Sequence, residues 1–183
     1  DSLHYNLGNA VASSDLLSSL SDEDRYSHFN TGYGVVTLHR PSNVDDPKVL
    51  RRILKTLDEI SDSLPLIFPV HPRTRQSIND AGLNRLTTGE NFLTLPPLGY
   101  KEILGLMKDA KLVLTDSGGM QEETTALGIP CITLRENTER PITVEQGTNT
   151  ITGSDPDKII NCFADIMESG GKTGRIPELW DGK

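Results

Sequence analysis

The chain has 183 residues, 35% of them hydrophobic, enough for one α/β domain with a single core and too few for two full domains. Its 26 acidic and 18 basic residues leave a formal charge of −8, and a chain this acidic repels nucleic acid. No apolar run reaches transmembrane length, the opening Asp1-Ser2-Leu3-His4 is neither a signal peptide nor a methionine start, and the chain reads as a fragment or processed chain of the cytoplasm.

Residues 1–31 are irregular in character, with an apolar-periodic piece at Val11 to Leu20 that fits a short helix, followed by a polar linker from Ser21 to Thr31. Tyr33 to Leu38 is β-branched and apolar and ends at His39-Arg40-Pro41, the pattern of a buried strand and a break. Asp45-Asp46-Pro47 supplies an N-cap and an early proline for a helix carrying Val49, Leu50, Ile53, Leu54, Leu57 and Ile60 on one face. Strand Pro65 to Val70, a short polar helix from Arg73 to Ala81 and strand Phe92 to Leu95 follow. Lys101 to Met107 is amphipathic, and Lys111 to Thr115 is a strand ending in Asp116-Ser117-Gly118-Gly119. Met120 to Leu127 is a helix closed by Gly128, and Pro130 to Leu134 is a strand. After a polar loop, Thr148 to Thr152 is the last strand, and Asp155-Pro156-Asp157 caps a helix to Met167. This alternation predicts right-handed crossovers and a parallel sheet with helices on both faces. The strands lack clear polar alternation, as expected of burial on both sides. Ligands of such sheets bind outside the carboxyl ends of the strands. That rule selects His39-Arg40, His71-Pro72-Arg73, Pro97-Leu98-Gly99, Asp116 to Gly119 and Arg135 to Arg140.

Among these, Asp116-Ser117-Gly118-Gly119 is the strongest local feature, because glycines let a backbone approach an anion and a helix N-terminus offers free N–H groups and a positive dipole end. Two readings of Ser117 stand side by side: a hydroxyl donor to phosphate, or a plain N-cap before a tight turn. Glu123 lies about one and a half helical turns past Ser117. A carboxylate there suits a ribose diol rather than a phosphate; the competing reading is a solvated face, and Gln121 is open in the same way. His39 can donate to a diphosphate or act as acid–base near neutral pH, or be structural. His71-Pro72-Arg73 repeats the pattern after the next strand. Arg140 is placed to hold phosphate, or to pair with Glu139. The four histidines lie far apart in sequence without carboxylates at ligand spacing, so no metal site is expected. Cys131 and Cys162 read as buried free thiols of a reducing compartment. No nucleophile elbow occurs, and an aromatic content of 5% argues against base stacking.

Taken together and in order, Val36-Thr37-Leu38-His39-Arg40-Pro41-Ser42-Asn43, Pro69-Val70-His71-Pro72, Leu98-Gly99-Tyr100, Leu114 to Glu123, Leu127-Gly128-Ile129-Pro130, Arg135-Glu136-Asn137-Thr138-Glu139-Arg140-Pro141 and Gly147-Thr148-Asn149 resemble one family. They are similar to the carboxyl-terminal, UDP-binding domain of the non-hydrolysing UDP-N-acetylglucosamine 2-epimerases, over residues 32–182. The resemblance implies a Rossmann-like domain, one half of a GT-B architecture, with nucleotide sugar in the cleft between two domains. It implies that Ser117, Gly118 and Gly119 bind the diphosphate of UDP, that Glu123 binds the ribose and that Arg140 sits beside the phosphates. His39 is the implied catalytic residue. Arg40, His71, Leu98, Asp116 and Gln121 are further candidates for the UDP site. The implied reaction converts UDP-GlcNAc to UDP-ManNAc by elimination and re-addition of UDP, with no metal and no redox cofactor. The full-length protein is expected to be a cytoplasmic homodimer, with no nucleic-acid or membrane partner. By the same resemblance residues 1–31 are an interdomain linker and helix remnant and residues 32–183 the UDP-binding domain. The amino-terminal catalytic domain and a last crossover helix after Pro177 to Lys183 are expected outside the chain, leaving it able to bind UDP and inactive alone. Two other readings remain: the donor domain of a GT-B glycosyltransferase, against which Thr138-Glu139-Arg140-Pro141 argues, and a stand-alone nucleotide-sugar sensor.

Overall fold

The computed structural model describes residues 2–20, 26–178 and 180. Residues 21–25 of the expected linker from Ser21 to Thr31 lie outside the described residues, as do Leu179 and Asp181 to Lys183 of the expected carboxyl-terminal tail. Six short strands form one parallel sheet in the order β3-β2-β1-β4-β5-β6. They are β1 (Gly34–Thr37), β2 (Leu66–Pro69), β3 (Phe92–Leu95), β4 (Leu112–Thr115), β5 (Cys131–Thr133) and β6 (Asn149–Ile151). The alternation read from the sequence is therefore the architecture, an α/β Rossmann-like sheet. The chain winds outward from β1 to β3, returns to lay β4 on the other side of β1, and winds outward again.

Strand residues alternate between two apolar layers. Val36, Leu66, Phe68, Leu112 and Leu114 face the layer built by α4 (Pro47–Ser61), α5 (Pro72–Asp80) and α9 (Pro156–Ser169). Val35, Ile67, Leu93 and Val113 face α6 (Tyr100–Asp109) and α7 (Gly118–Leu127). Both faces being covered is why the strands read as continuous apolar runs. Helix α4 starts where expected: the Asp46 carboxylate accepts from Lys48 N at 2.8 Å, and Pro47 follows the cap. Gly128 closes α7 at φ 70°, and Gly170 closes α9 at φ 83°, left-handed backbone that glycine adopts without strain.

Several elements differ from the sequence expectation. Before β1, α2 (Ser13–Ser18) is the short helix expected within Val11 to Leu20, but the segment also holds α1 (Ser2–Leu7) and a 3-10 turn (Ser27–Thr31) where the sequence reads as irregular chain and linker, and Leu17 and Phe29 enter the layer beneath α6. Short helices α3 (Pro41–Val44) and α8 (Pro141–Glu145) occupy what reads as loop. Each begins at a proline whose fixed φ suits a first helical turn, and four or five residues are too few to show a period. The N-terminal segment is pinned to α6: Val11 N donates to Lys101 O at 3.1 Å, and a Cβ on Gly105 would lie 1.7 Å from Val11 O. Only a glycine lets the two backbones approach so closely.

Candidate functional site

Strands β1 and β4 are neighbours whose onward connections run to opposite sides of the sheet, so a crevice opens at their carboxyl ends. His39 and Arg40 leave β1 there, and Asp116 and Ser117 leave β4. Asp116 joins the two exits. It is fully buried, and its carboxylate accepts from His39 N at 3.1 Å, Arg40 N at 2.9 Å and Asn43 Nδ2 at 3.1 Å. His39 Nδ1 lies 3.1 Å from Asp116 Oδ1. Burial pushes the Asp116 carboxyl up, but the donors from His39 and Arg40 outweigh it and hold the group below the ordinary carboxylate range. Asp116 is thus a buried anchor, and a carboxylate committed to these donors is not a phosphate ligand. With Nδ1–H given to Asp116, His39 keeps Nε2 for proton exchange or hydrogen bonding in the crevice.

A cavity of about 220 Å³ opens beside these exits, lined by His39, His71, Leu98 and Ser117 together with the apolar Ile103 and Met120. The His39 and His71 ring centroids are 6.2 Å apart. His71 also caps α5, its Nδ1 accepting from Arg73 N at 3.3 Å. Ser117 is the N-cap residue of α7, yet its side chain makes no capping hydrogen bond. Gly118 and Gly119 begin the helix, and neither has a positive φ. A Cβ on Gly118 would meet only Glu139 Oε2 at 3.8 Å, and one on Gly119 only Ser117 Oγ at 3.9 Å. Neither backbone strain nor packing within the chain accounts for glycine at these positions. What the missing side chains keep open is the approach to the N–H groups of the helix start.

Charged residues surround that opening. Arg135 grips Glu139 with two hydrogen bonds of 2.8 and 2.7 Å, and Arg40 lies 3.7 Å from the same carboxylate. The Arg135 hydrogen bonds hold Glu139 down to about 2. Arg140, half exposed, pairs its Nε with Glu122 Oε1 at 2.8 Å, not with the Glu139 carboxylate. Glu123 is half-buried and accepts from the Tyr100 hydroxyl at 2.9 Å; burial raises its carboxyl, opposed by Tyr100 and reinforced by Glu122. Gln121 is placed elsewhere: it is fully buried, and its amide oxygen is engaged with Thr138 and Asn149 beneath the surface.

Tyr100, Ile103 and Met120 carry no site role in the sequence reading, although Tyr100 and Met120 stand within its motifs. Tyr100 and Ile103 stand three apart on the first turn of α6, directly after the Leu98-Gly99 loop, and that spacing on a helix opening at a strand end is the signal that marks them. Both cysteines are free, and burial pushes the Cys131 thiol up to about 12. Among the described residues no group of three or more His, Cys, Asp and Glu is placed to hold a metal ion, and no helix is long and apolar enough to cross a membrane.

Comparison with known proteins places this arrangement. A protein of Methanococcus maripaludis named UDP-N-acetylglucosamine 2-epimerase is 44% identical over 143 residues, covering 76% of this chain and 39% of the relative. The Methanocaldococcus jannaschii UDP-GlcNAc 2-epimerase, solved in complex with UDP-GlcNAc and UDP, superposes with a TM-score of 0.72 at 38% identity, over 85% of this chain and 44% of that one. The Neisseria meningitidis enzyme bound to UDP-GlcNAc gives a TM-score of 0.68 at 28% identity, over 86% and 44%. The chain thus spans about two fifths of the length of the curated relatives it matches. The family model for UDP-N-acetylglucosamine 2-epimerase matches residues 5–183, and the chain belongs to that family.

Proposed function

We propose that this chain is the UDP-holding domain of a UDP-N-acetylglucosamine 2-epimerase, which interconverts UDP-GlcNAc and UDP-ManNAc. The observation that carries the reading is the opening at Ser117, Gly118 and Gly119. A helix N-terminus at the topological switch point, left bare of side chains that neither strain nor packing excludes, suits a diphosphate. The apolar slot formed by Leu98, Ile103 and Met120 next to Ser117 suits a flat pyrimidine. Glu123, shared with Tyr100, suits a ribose diol.

In the proposed reaction the proton at C2 of the sugar passes to a base, the C1–O bond breaks, and its electron pair leaves with UDP as C1 and C2 become doubly bonded. Reversal returns UDP to C1 and a proton to the opposite face of C2. The part of this chain is the leaving group. Negative charge develops on the departing phosphate oxygen, where the α7 N–H groups, Ser117 and Arg140 provide fixed donors. His39, oriented by Asp116, offers Nε2 at the same edge. The carboxylates that move the C2 proton are assigned to a facing domain of the GT-B arrangement.

Titration calorimetry with UDP and with adenosine diphosphate checks this reading. UDP is expected to bind the purified chain, and more tightly than the purine nucleotide. Equal binding of both, or none at millimolar ligand, removes the site assignment.

A further inference from the structure

We propose that Gln121, Thr138 and Asn149 form a buried relay that positions Arg140 for the diphosphate. The inference rests on the UDP site proposed above and adds residues to it. The relay is a closed ring of hydrogen bonds. The Arg140 N–H donates to Thr138 Oγ1 at 2.9 Å, and the Thr138 hydroxyl donates to Gln121 Oε1 at 2.5 Å. On the other side of the same residue, the Thr143 hydroxyl donates to Arg140 O at 2.7 Å, and Thr143 Oγ1 accepts from Asn149 Nδ2 at 3.0 Å. Asn149 Nδ2 also donates to Gln121 Oε1 at 3.2 Å and closes the circuit. Outside the ring, Asn149 Oδ1 accepts from the Thr133 hydroxyl of β5 at 2.6 Å. The Gln121 oxygen serves the ring as acceptor for both Thr138 and Asn149, while the buried Gln121 Nε2 meets no hydrogen-bond partner among the described residues. Exchanging the Gln121 oxygen and nitrogen would set amide nitrogen against amide nitrogen at Asn149.

Gln121, Thr143 and Asn149 are buried, with no exposure at all, in a low-dielectric setting that strengthens each hydrogen bond of the ring and makes its loss costly. What the ring encloses is the peptide of one exposed residue. Arg140 stands where the loop after β5 enters α8, and both its N–H and its C=O are held. Its half-exposed guanidinium pairs with Glu122 of α7 at 2.8 Å, and the ring sets the backbone position from which it reaches that carboxylate or a bound anion. Gln121 belongs to α7, and its own N–H donates to Ser117 O at 3.4 Å. The relay therefore fixes Arg140 to the same rigid helix whose N-terminus is the phosphate end of the proposed site. A hydrogen-bonded route through one helix keeps the separation between α7 and Arg140 independent of the exposed loop between them.

The test combines amide exchange with UDP titration of the full chain. Thr138→Val keeps the shape of the side chain and removes the hydroxyl, Gln121→Met keeps length and helix preference and removes the acceptor, and Thr138→Ser keeps the hydroxyl. The first two variants are expected to speed hydrogen exchange at the Arg140 amide and to weaken UDP about tenfold, while Thr138→Ser behaves as the wild type. In an Arg140→Ala background the Thr138→Val loss should disappear, since a residue that acts through Arg140 has nothing left to position. A loss that persists in that background, or an Arg140 amide unchanged in Thr138→Val, overturns the relay. Should Gln121→Met fail to fold, the Thr138 pair decides by itself. Wild-type chain that binds no UDP overturns the site itself, an outcome distinct from wild-type binding that Thr138→Val leaves intact.

Discussion

Asp116 illustrates how a residue's neighbours decide its work. In the sequence it leads the Asp-Ser-Gly-Gly run and ranks as a candidate ligand. In the fold it turns inward and ties the ends of β1 and β4 through His39, Arg40 and Asn43. Its carboxyl lies below the ordinary range when folded. A depressed carboxylate adds stability that is fully present above the unfolded pKa of about 3.9 and is lost as pH falls through the folded value. Asp116→Asn removes the charge and turns an amide toward backbone donors, with an expected loss of about 2–3 kcal/mol near pH 7. Urea unfolding of both proteins across pH checks this: the gap should narrow as the solution is acidified below about pH 4. A gap independent of pH would mean that the charge on Asp116 does nothing for the fold.

Helix α7 shows the same division one level up. Its strand-to-helix position and its closing Gly128 are legible in the sequence, because a helical period and a left-handed cap are local properties. That the two opening glycines are unforced is not legible, since the statement needs φ values and the atoms a Cβ would meet. A consequence of opposite signs follows for Gly119→Ala. The new methyl meets nothing nearer than Ser117 Oγ at 3.9 Å, and alanine is the better helix former, so stability should hold or rise by up to about 1 kcal/mol. The same methyl stands before the helix N–H groups, so UDP should bind at least tenfold more weakly, the cost of about one lost hydrogen bond. Thermal unfolding beside calorimetry separates the two. Parallel losses of both would show that the glycine serves the fold rather than a ligand.

At the scale of the whole molecule, the crevice of this chain has cationic and helix-terminal groups that suit the leaving diphosphate of the proposed reaction, with His39 as the candidate acid–base. Moving a proton off C2 and returning it on the opposite face calls for two positioned groups in a closed, water-poor cleft. The purified chain is therefore expected to bind UDP-GlcNAc without exchanging its C2 proton for solvent deuterium, as followed by NMR. Exchange that depends on His39 would assign this domain a larger share of the chemistry.

The sequence by itself determined the strands, the main helices and the sheet edge on which reactive side chains gather. Apolar periods, proline starts and glycine stops act over a few residues and need no distant partner. It also carried the motif order by which the family is recognised. Only the tertiary structure decided which of those residues face the crevice. Asp116 and Gln121 look as available in the sequence as Ser117 and Glu123, yet both are buried by contacts to residues some 17 to 77 positions away. The same holds for Gly105, whose need for no side chain arises from Val11 lying across it. Such contacts form when separate elements pack, and nothing in the local chemistry of either partner announces the other.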